Sequence, residues 1–230
     1  MIYYTTNGII GSSRLMYEKY REIDPGLPER LGGNLKTLES VCVSSFSSLR
    51  KKDLSQAAVN CGALITEGNK LAIKYFNNRV IVDPEAGKLY YSEGQEEVDI
   101  FSSTIILHYI LTADGQPLTG QWVSYRELPH GMFYFRTIPG VMELLLEKFG
   151  HSFRLLAKKA QEYGGSLSSD FKNGVILYPF PYFPVLIILE EESEEFNADV
   201  RALFDRSASH YMNTDIIKVL LVNIVRILTR

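Results

Sequence analysis

The sequence predicts a single α+β domain over residues 1–230: a mostly antiparallel sheet of short strands packed by about five to six helices. Three observations predict it. Helix-like and strand-like segments are segregated along the chain rather than alternating, which argues against a parallel βαβ sheet. Short β-rich segments follow one another from Leu64 to Tyr91, separated by tight-turn residues, the pattern of an antiparallel meander. No internal repeat and no long linker divides the 230 residues, a length that suits one large domain.

The elements follow in order. Ser12–Ile23 has Leu15, Met16, Tyr20 and Ile23 at helical spacing behind a serine cap, and Asp24-Pro25-Gly26 stops it. Pro28–Leu31 reads as a short second helix with proline in its first turn. These N-terminal helices, within residues 1–48, are expected at the periphery of the domain. Leu49–Cys61 reads as another helix, ended by Gly62. Strands are expected at Leu64–Thr66, Lys70–Phe76, Arg79–Pro84 and Lys88–Tyr91. Asp99–Thr112 is apolar nearly all round and is expected as a buried helix. Trp122–Leu128 reads as a strand. Gly140–Phe149 and Ser152–Tyr163 read as helices, and Val175–Tyr178 and Val185–Leu189 as strands. The segment 179–184 between them, Pro-Phe-Pro-Tyr-Phe-Pro, is too rich in proline for a central strand. Glu190–Glu195 reads as an acidic, solvated loop. A last helix is expected over Thr214–Leu228, apolar around most of its circumference and broken only by Lys218, Asn223 and Arg226, so that it must be buried.

Composition excludes several classes of function. Apolar residues at 46% and charged residues at 22% are near globular averages, which excludes a disordered chain. A net charge of −3, with aromatic residues not interleaved with a basic stripe, argues against nucleic acid as a partner. Neither G-x-x-x-x-G-K nor G-x-G-x-x-G occurs. Two cysteines, Cys42 and Cys61, cannot build a disulfide framework or a four-thiolate metal site. The four histidines show neither H-x-x-x-H nor H-E-x-x-H spacing, so no metal site and no cofactor within this chain are expected. The N-terminus lacks the charged flank of a secretory signal, and no run of about 18 apolar residues exists. A cytoplasmic protein with no membrane partner is therefore expected; a homo-oligomer is left open.

Two stretches stand out from this background. One is the run 107–131, LHYILTADGQPLTGQWVSYRELPHG; the other is 203–211, LFDRSASHY. They resemble an uncharacterised domain-of-unknown-function family of anaerobic bacteria and archaea, whose members typically read LHYLL-ADG-PLTG-WVSFRELPGG and later LFD-SA-YL-TED. The resemblance covers the chain from about Leu49 onward and implies no established activity. It implies a place in anaerobic metabolism with an iron–sulfur or corrinoid protein as partner, since some relatives look like fusions to a small four-cysteine iron–sulfur domain. That domain is not in these 230 residues. The sequence departs from the pattern at His130, where glycine is usual, and at Asn213-Thr214-Asp215, where Thr-Glu-Asp is usual. It departs again after Leu189, where the acidic stretch replaces a common tryptophan.

On the helix that leads into the first stretch, Thr104, His108 and Thr112 are spaced by four and form a narrow polar line on an otherwise apolar helix. An imidazole there can bind a ligand or move a proton, or can be a buried histidine satisfied by its neighbours. If Trp122–Glu127 is extended, Trp122, Ser124 and Arg126 share one face and Val123, Tyr125 and Glu127 the other. Trp122 beside Arg126 suits a small anionic or planar ligand, or an internal cation–π pair. Asp205, Ser207 and His210 invite a triad reading, but no G-x-S-x-G elbow accompanies them, and capping roles suit Asp205 and Ser207.

The functional expectation is a ligand- or partner-binding domain. The alternatives are an enzyme with His108 or Glu127 as general acid–base on a small anionic substrate, and a purely structural subunit. The site residues expected are His108, Trp122, Ser124, Arg126, Glu127, Asp205, Ser207 and Tyr211. The two stretches are expected to converge, with Arg126 near Asp205 and with Trp122 or Tyr211 flooring a cleft that His108 borders. The competing expectation is a closed polar clamp holding the C-terminal helix to the sheet.

Overall fold

A computed structural model describes residues 35–230. The helices expected over Ser12–Ile23 and Pro28–Leu31 lie outside the described residues. The fold is α+β, with two antiparallel sheets of short strands and helices packed on them.

A helix over Leu35–Arg50 (α1), which the sequence reading does not assign, opens the described chain. Leu38, Cys42, Phe46 and Leu49 are buried along its length, and it packs on the central helix α3, Ile100–Thr112. The helix expected from Leu49 is in fact two. Asp53 interrupts it by accepting the amide N–H groups of Ser55 and Gln56, and so caps α2, Leu54–Cys61. Gly62 then closes α2 in the left-handed region, at φ 71°.

The first sheet is the expected meander: β1 (Leu64–Thr66), β2 (Lys70–Tyr75), β3 (Asn78–Asp83) and β4 (Lys88–Tyr91), in sequence order. Asp99 caps α3 through Phe101 and Ser102, and α3 is buried on nearly every side.

The second sheet holds the stretches singled out in the sequence. Its strands are β5 (Trp122–Ser124), β6 (Ser166–Leu167), β7 (Gly174–Phe180), β8 (Phe183–Glu190) and β9 (Asp199–Asp205), in the order β5-β9-β8-β7-β6. Between β5 and β6 run α4 (Gly131–Tyr134), α5 (Ile138–Phe149) and α6 (Phe153–Glu162).

Two expectations are corrected here, and one unassigned segment proves to be a strand. The strand expected over Trp122–Leu128 ends at Ser124, and Tyr125–Glu127 forms a 3-10 turn. The proline-rich segment lies largely in strands: Pro179 and Phe180 end β7, residues 181–182 turn, and Phe183 and Pro184 open the central strand β8. The ladder admits Pro184 because the register shifts between Leu177 and Phe180, and regular pairing of β8 with β9 starts only at Val185. Residues 199–205, most of which the sequence reading leaves unassigned, form a full strand.

The last helix, α7 (Thr214–Thr229), is buried from Ile217 to Leu228, as its apolar circumference requires. It packs against α5, α3 and α6. The polar residues Lys218, Asn223 and Arg226 are buried with it.

Candidate functional site

The two singled-out stretches do converge, since β5 pairs with β9 so that Trp122 lies opposite Asp205, Val123 opposite Phe204 and Ser124 opposite Leu203. What they build is chiefly a polar lock. Asp205, 3% exposed, accepts five hydrogen bonds, from the amides of Thr119, Gly120 and Ser207 and the hydroxyls of Thr119 and Ser207, at 2.7–3.0 Å. Burial alone pushes its carboxyl up, but the bonds from Ser207 and Thr119 overcome that and hold it below the usual carboxylate range. Asp205 and Ser207 thus take the capping roles suited to them.

The rest of the second stretch grips the same loop. The His210 imidazole bonds the Asp114 carboxylate at 2.7 Å, which holds Asp114 below its ordinary range. The Tyr211 hydroxyl donates to the carbonyl of Gln116. Tyr211 is buried, stacked on Tyr109, whose ring in turn stacks on Phe180 at 4.1 Å. It floors the core and not a cleft. Farther on, the Tyr125 hydroxyl donates to the Thr214 carbonyl and the Thr214 hydroxyl to that of Pro129, tying the start of α7 to the turn after β5.

Arg126 and Asp205 do not pair. Asp205 is filled by neutral donors, whereas Arg126 is exposed, with its Nε on the Met132 sulfur at 2.9 Å and its guanidinium over the Phe135 ring at 5.1 Å. The early end of β5 separates them: with Tyr125–Glu127 coiled, Arg126 leaves the face it would share with Trp122 and Ser124. Glu127 causes that end, because its carboxylate accepts both the Ser124 amide and hydroxyl, at 2.8 and 2.7 Å. Those bonds from Ser124 hold Glu127 below the usual range, which suits a cap and not a general acid. Trp122 is half-buried on β5.

His108 is half-buried, and its Nδ1 meets the Thr112 hydroxyl at 3.1 Å. Burial lowers its pKa, partly offset by Asp215 at the start of α7. Thr104 completes the expected polar line but turns its hydroxyl to the Ile100 carbonyl and the Cys42 thiol.

A cavity of about 630 Å³ lies elsewhere, between the first sheet, α3 and α7. Its chemistry comes from the polar residues of α7, which the sequence reading treats only as interruptions of an apolar helix. Arg226, 6% exposed, donates through Nε and Nη2 to the Asn223 side-chain carbonyl, at 3.1 and 2.7 Å. Asn223 donates in turn to the Tyr75 hydroxyl at 2.6 Å, and that hydroxyl lies 3.5 Å from Ser102. Phe46, Phe76 and Tyr91 add aromatic walls, Cys42 lies in the lining, and Glu96 and Glu97 stand at the rim. Positions 223 and 226 are three apart, so one helical face carries both. That spacing was the available signal, and the apolar majority of the helix masked it.

Among the described residues no group of three or more His, Cys, Asp or Glu side chains could hold a metal ion, and no helix is long and apolar enough to cross a membrane. No curated protein and no solved structure matches the chain. A family model does match over residues 53–226, which include both singled-out stretches and the Asn223–Arg226 face: the chain belongs to the family described as Domain of unknown function (DUF3786).

Proposed function

We propose that the chain is a cytoplasmic small-molecule-binding domain whose ligand carries one anionic group and an aromatic or apolar body. The observation that supports this reading is the buried Arg226–Asn223–Tyr75 chain lining a cavity of about 630 Å³ with aromatic walls. A guanidinium held out of water by a fixed acceptor is preorganised for a carboxylate or phosphate, and aromatic walls suit a flat body. Glu127 and His108 are engaged with Ser124 and Thr112, so the reading assigns binding and no catalytic step. The family resemblance extends the proposal to an iron–sulfur or corrinoid protein of anaerobic metabolism as the partner this domain serves.

The test is chromatography with mass spectrometry of small molecules released from the purified chain by heat, for wild type and Arg226→Met. The reading expects an organic anion with the wild type and at least a ten-fold loss with the variant. Cys42 supplies a second readout that does not depend on how the variant folds. Labelling of its thiol by a small disulfide reagent should slow when the released fraction is added back to wild type. A wild type that carries no anion, together with Cys42 labelling indifferent to adenosine monophosphate, pyruvate and benzoate, would sink the reading.

A further inference from the structure

Strand β9 is covered unequally on its two sides. Toward β8 it is paired from Asp199 to Phe204; toward β5 the ladder covers only Leu203, Phe204 and Asp205. Among the described residues, 199–202 therefore have a strand partner on one side only. The cause is the cap already described: Glu127 takes the Ser124 amide and hydroxyl and coils the chain away after three residues of β5.

Backbone alternation says which groups this leaves facing outward. In an antiparallel ladder successive residues direct their N–H and C=O to opposite neighbours. The Leu189 amide donates to Asn173, on the side of β8 away from β9, and Leu189 lies opposite Val200. Val200 and Leu189 are thus a non-bonded pair, and Val200 points away from β8. The Arg206 amide donates to the Gln121 carbonyl on the β5 side, which gives the same parity. The outward set therefore includes Val200 and Ala202, directed to the place where β5 would have continued.

That place is a groove of about 450 Å³. Its far wall is Phe135 with Ile138, Met142 and Leu146 of α5. At its mouth Arg126 is exposed, with its guanidinium face on Phe135. Arg201 also borders it but is engaged with Glu190 at 2.5 Å and Asp199 at 3.7 Å. The groove thus offers a row of backbone donors and acceptors, an apolar wall and a cation at one end.

We propose that this groove binds an extended segment of a partner protein, which adds as a strand beside Val200 and Ala202, sets an apolar side chain against Phe135 and Met142, and pairs an Asp or Glu with Arg126. Strand addition uses main-chain bonds for affinity and alternate side chains for specificity, and the groove supplies both. The carboxylate follows from the charge of Arg126.

The probe is a displayed library of linear heptapeptides selected on the full chain, followed by anisotropy with the synthesised winner and amide hydrogen exchange. Enriched peptides should alternate apolar residues with at least one acidic one. The amides of Val200 and Ala202 should exchange rapidly in the free chain and become protected when the peptide binds. Ala202→Pro, which deletes an outward N–H while leaving the β8 ladder intact, should weaken binding at least ten-fold. Arg126→Glu, at an exposed position, should do the same, while Lys88→Ala on the first sheet should not. The proposal is overturned if no peptide is enriched over an unrelated bait, if both variants bind as wild type does, or if the two amides are protected in the free chain. It is equally overturned if the chain is a dimer that Ala202→Pro dissociates, since the occupant is then a second copy.

Discussion

Asp205 shows how a charged residue can be structural without an ionic partner. Its hydrogen bonds come from three backbone amides and two hydroxyls, so the negative charge is spread over five dipoles. Replacing it with alanine leaves the amides of Thr119, Gly120 and Ser207 without their acceptor, and should cost about 3 kcal/mol, read as a shifted urea midpoint. The pH dependence has a definite sign. The folded carboxyl titrates below its unfolded value, so its contribution is complete above the unfolded pKa of about 4 and is lost as pH falls through the folded one. Acid unfolding of Asp205→Ala should accordingly be shallower than that of the wild type below about pH 4. An equally steep acid limb would show that another carboxylate controls it. His130 makes a different point at the same scale. Its backbone lies in the left-handed region at φ 62°, which glycine adopts without strain. Replacement of His130 by glycine should therefore hold or raise the melting temperature.

At the scale of elements, the turn after β5 governs the most. It ends a strand, opens the edge of β9 and anchors α7 through Tyr125 and Thr214. Gly131 lets it close. A Cβ at that position would stand 2.0 Å from the Tyr125 carbonyl oxygen, far inside contact distance. Gly131→Ala should destabilise the domain by about 3 kcal/mol, because the obstruction is backbone and cannot swing aside. A thermal scan that leaves the variant within a degree of wild type would show that the turn can relax. Most elements were legible in the sequence where pattern was strong: the meander from Leu64 to Tyr91 alternates, and α3 and α7 are apolar over many turns. Two of the misread boundaries share a cause. Asp53 and Glu127 stop elements through side-chain caps, which a hydrophobic period does not register.

For the whole molecule, α7 is the keystone. It is buried along its length and packs against α5, α3 and α6, so removing it would expose an apolar face on each of them. Deletion of residues 216–230 should give insoluble protein. A soluble truncation with one cooperative unfolding transition would make the helix an appendage. The same burial explains the cavity chemistry. An arginine taken out of water needs fixed acceptors, and Asn223, one turn earlier on the same helix, supplies one.

The sequence by itself determined the fold class, the meander and the buried helices. Each of these follows from periodicity or local hydrogen-bonding habit, properties of neighbours along the chain. Tertiary structure alone decided what the polar residues do. Arg126 was expected beside Asp205, yet a three-residue strand followed by a capped turn sends it to Phe135, while Asp205 takes three of its five donors from a loop some 85 residues away in sequence. Asn223 and Arg226 looked like interruptions of an apolar helix, yet packing of α7 near α3 and the first sheet makes them the polar floor of a cavity. A polar side chain's role depends on which donor or acceptor reaches it within about 3 Å, and that is set by how distant elements pack.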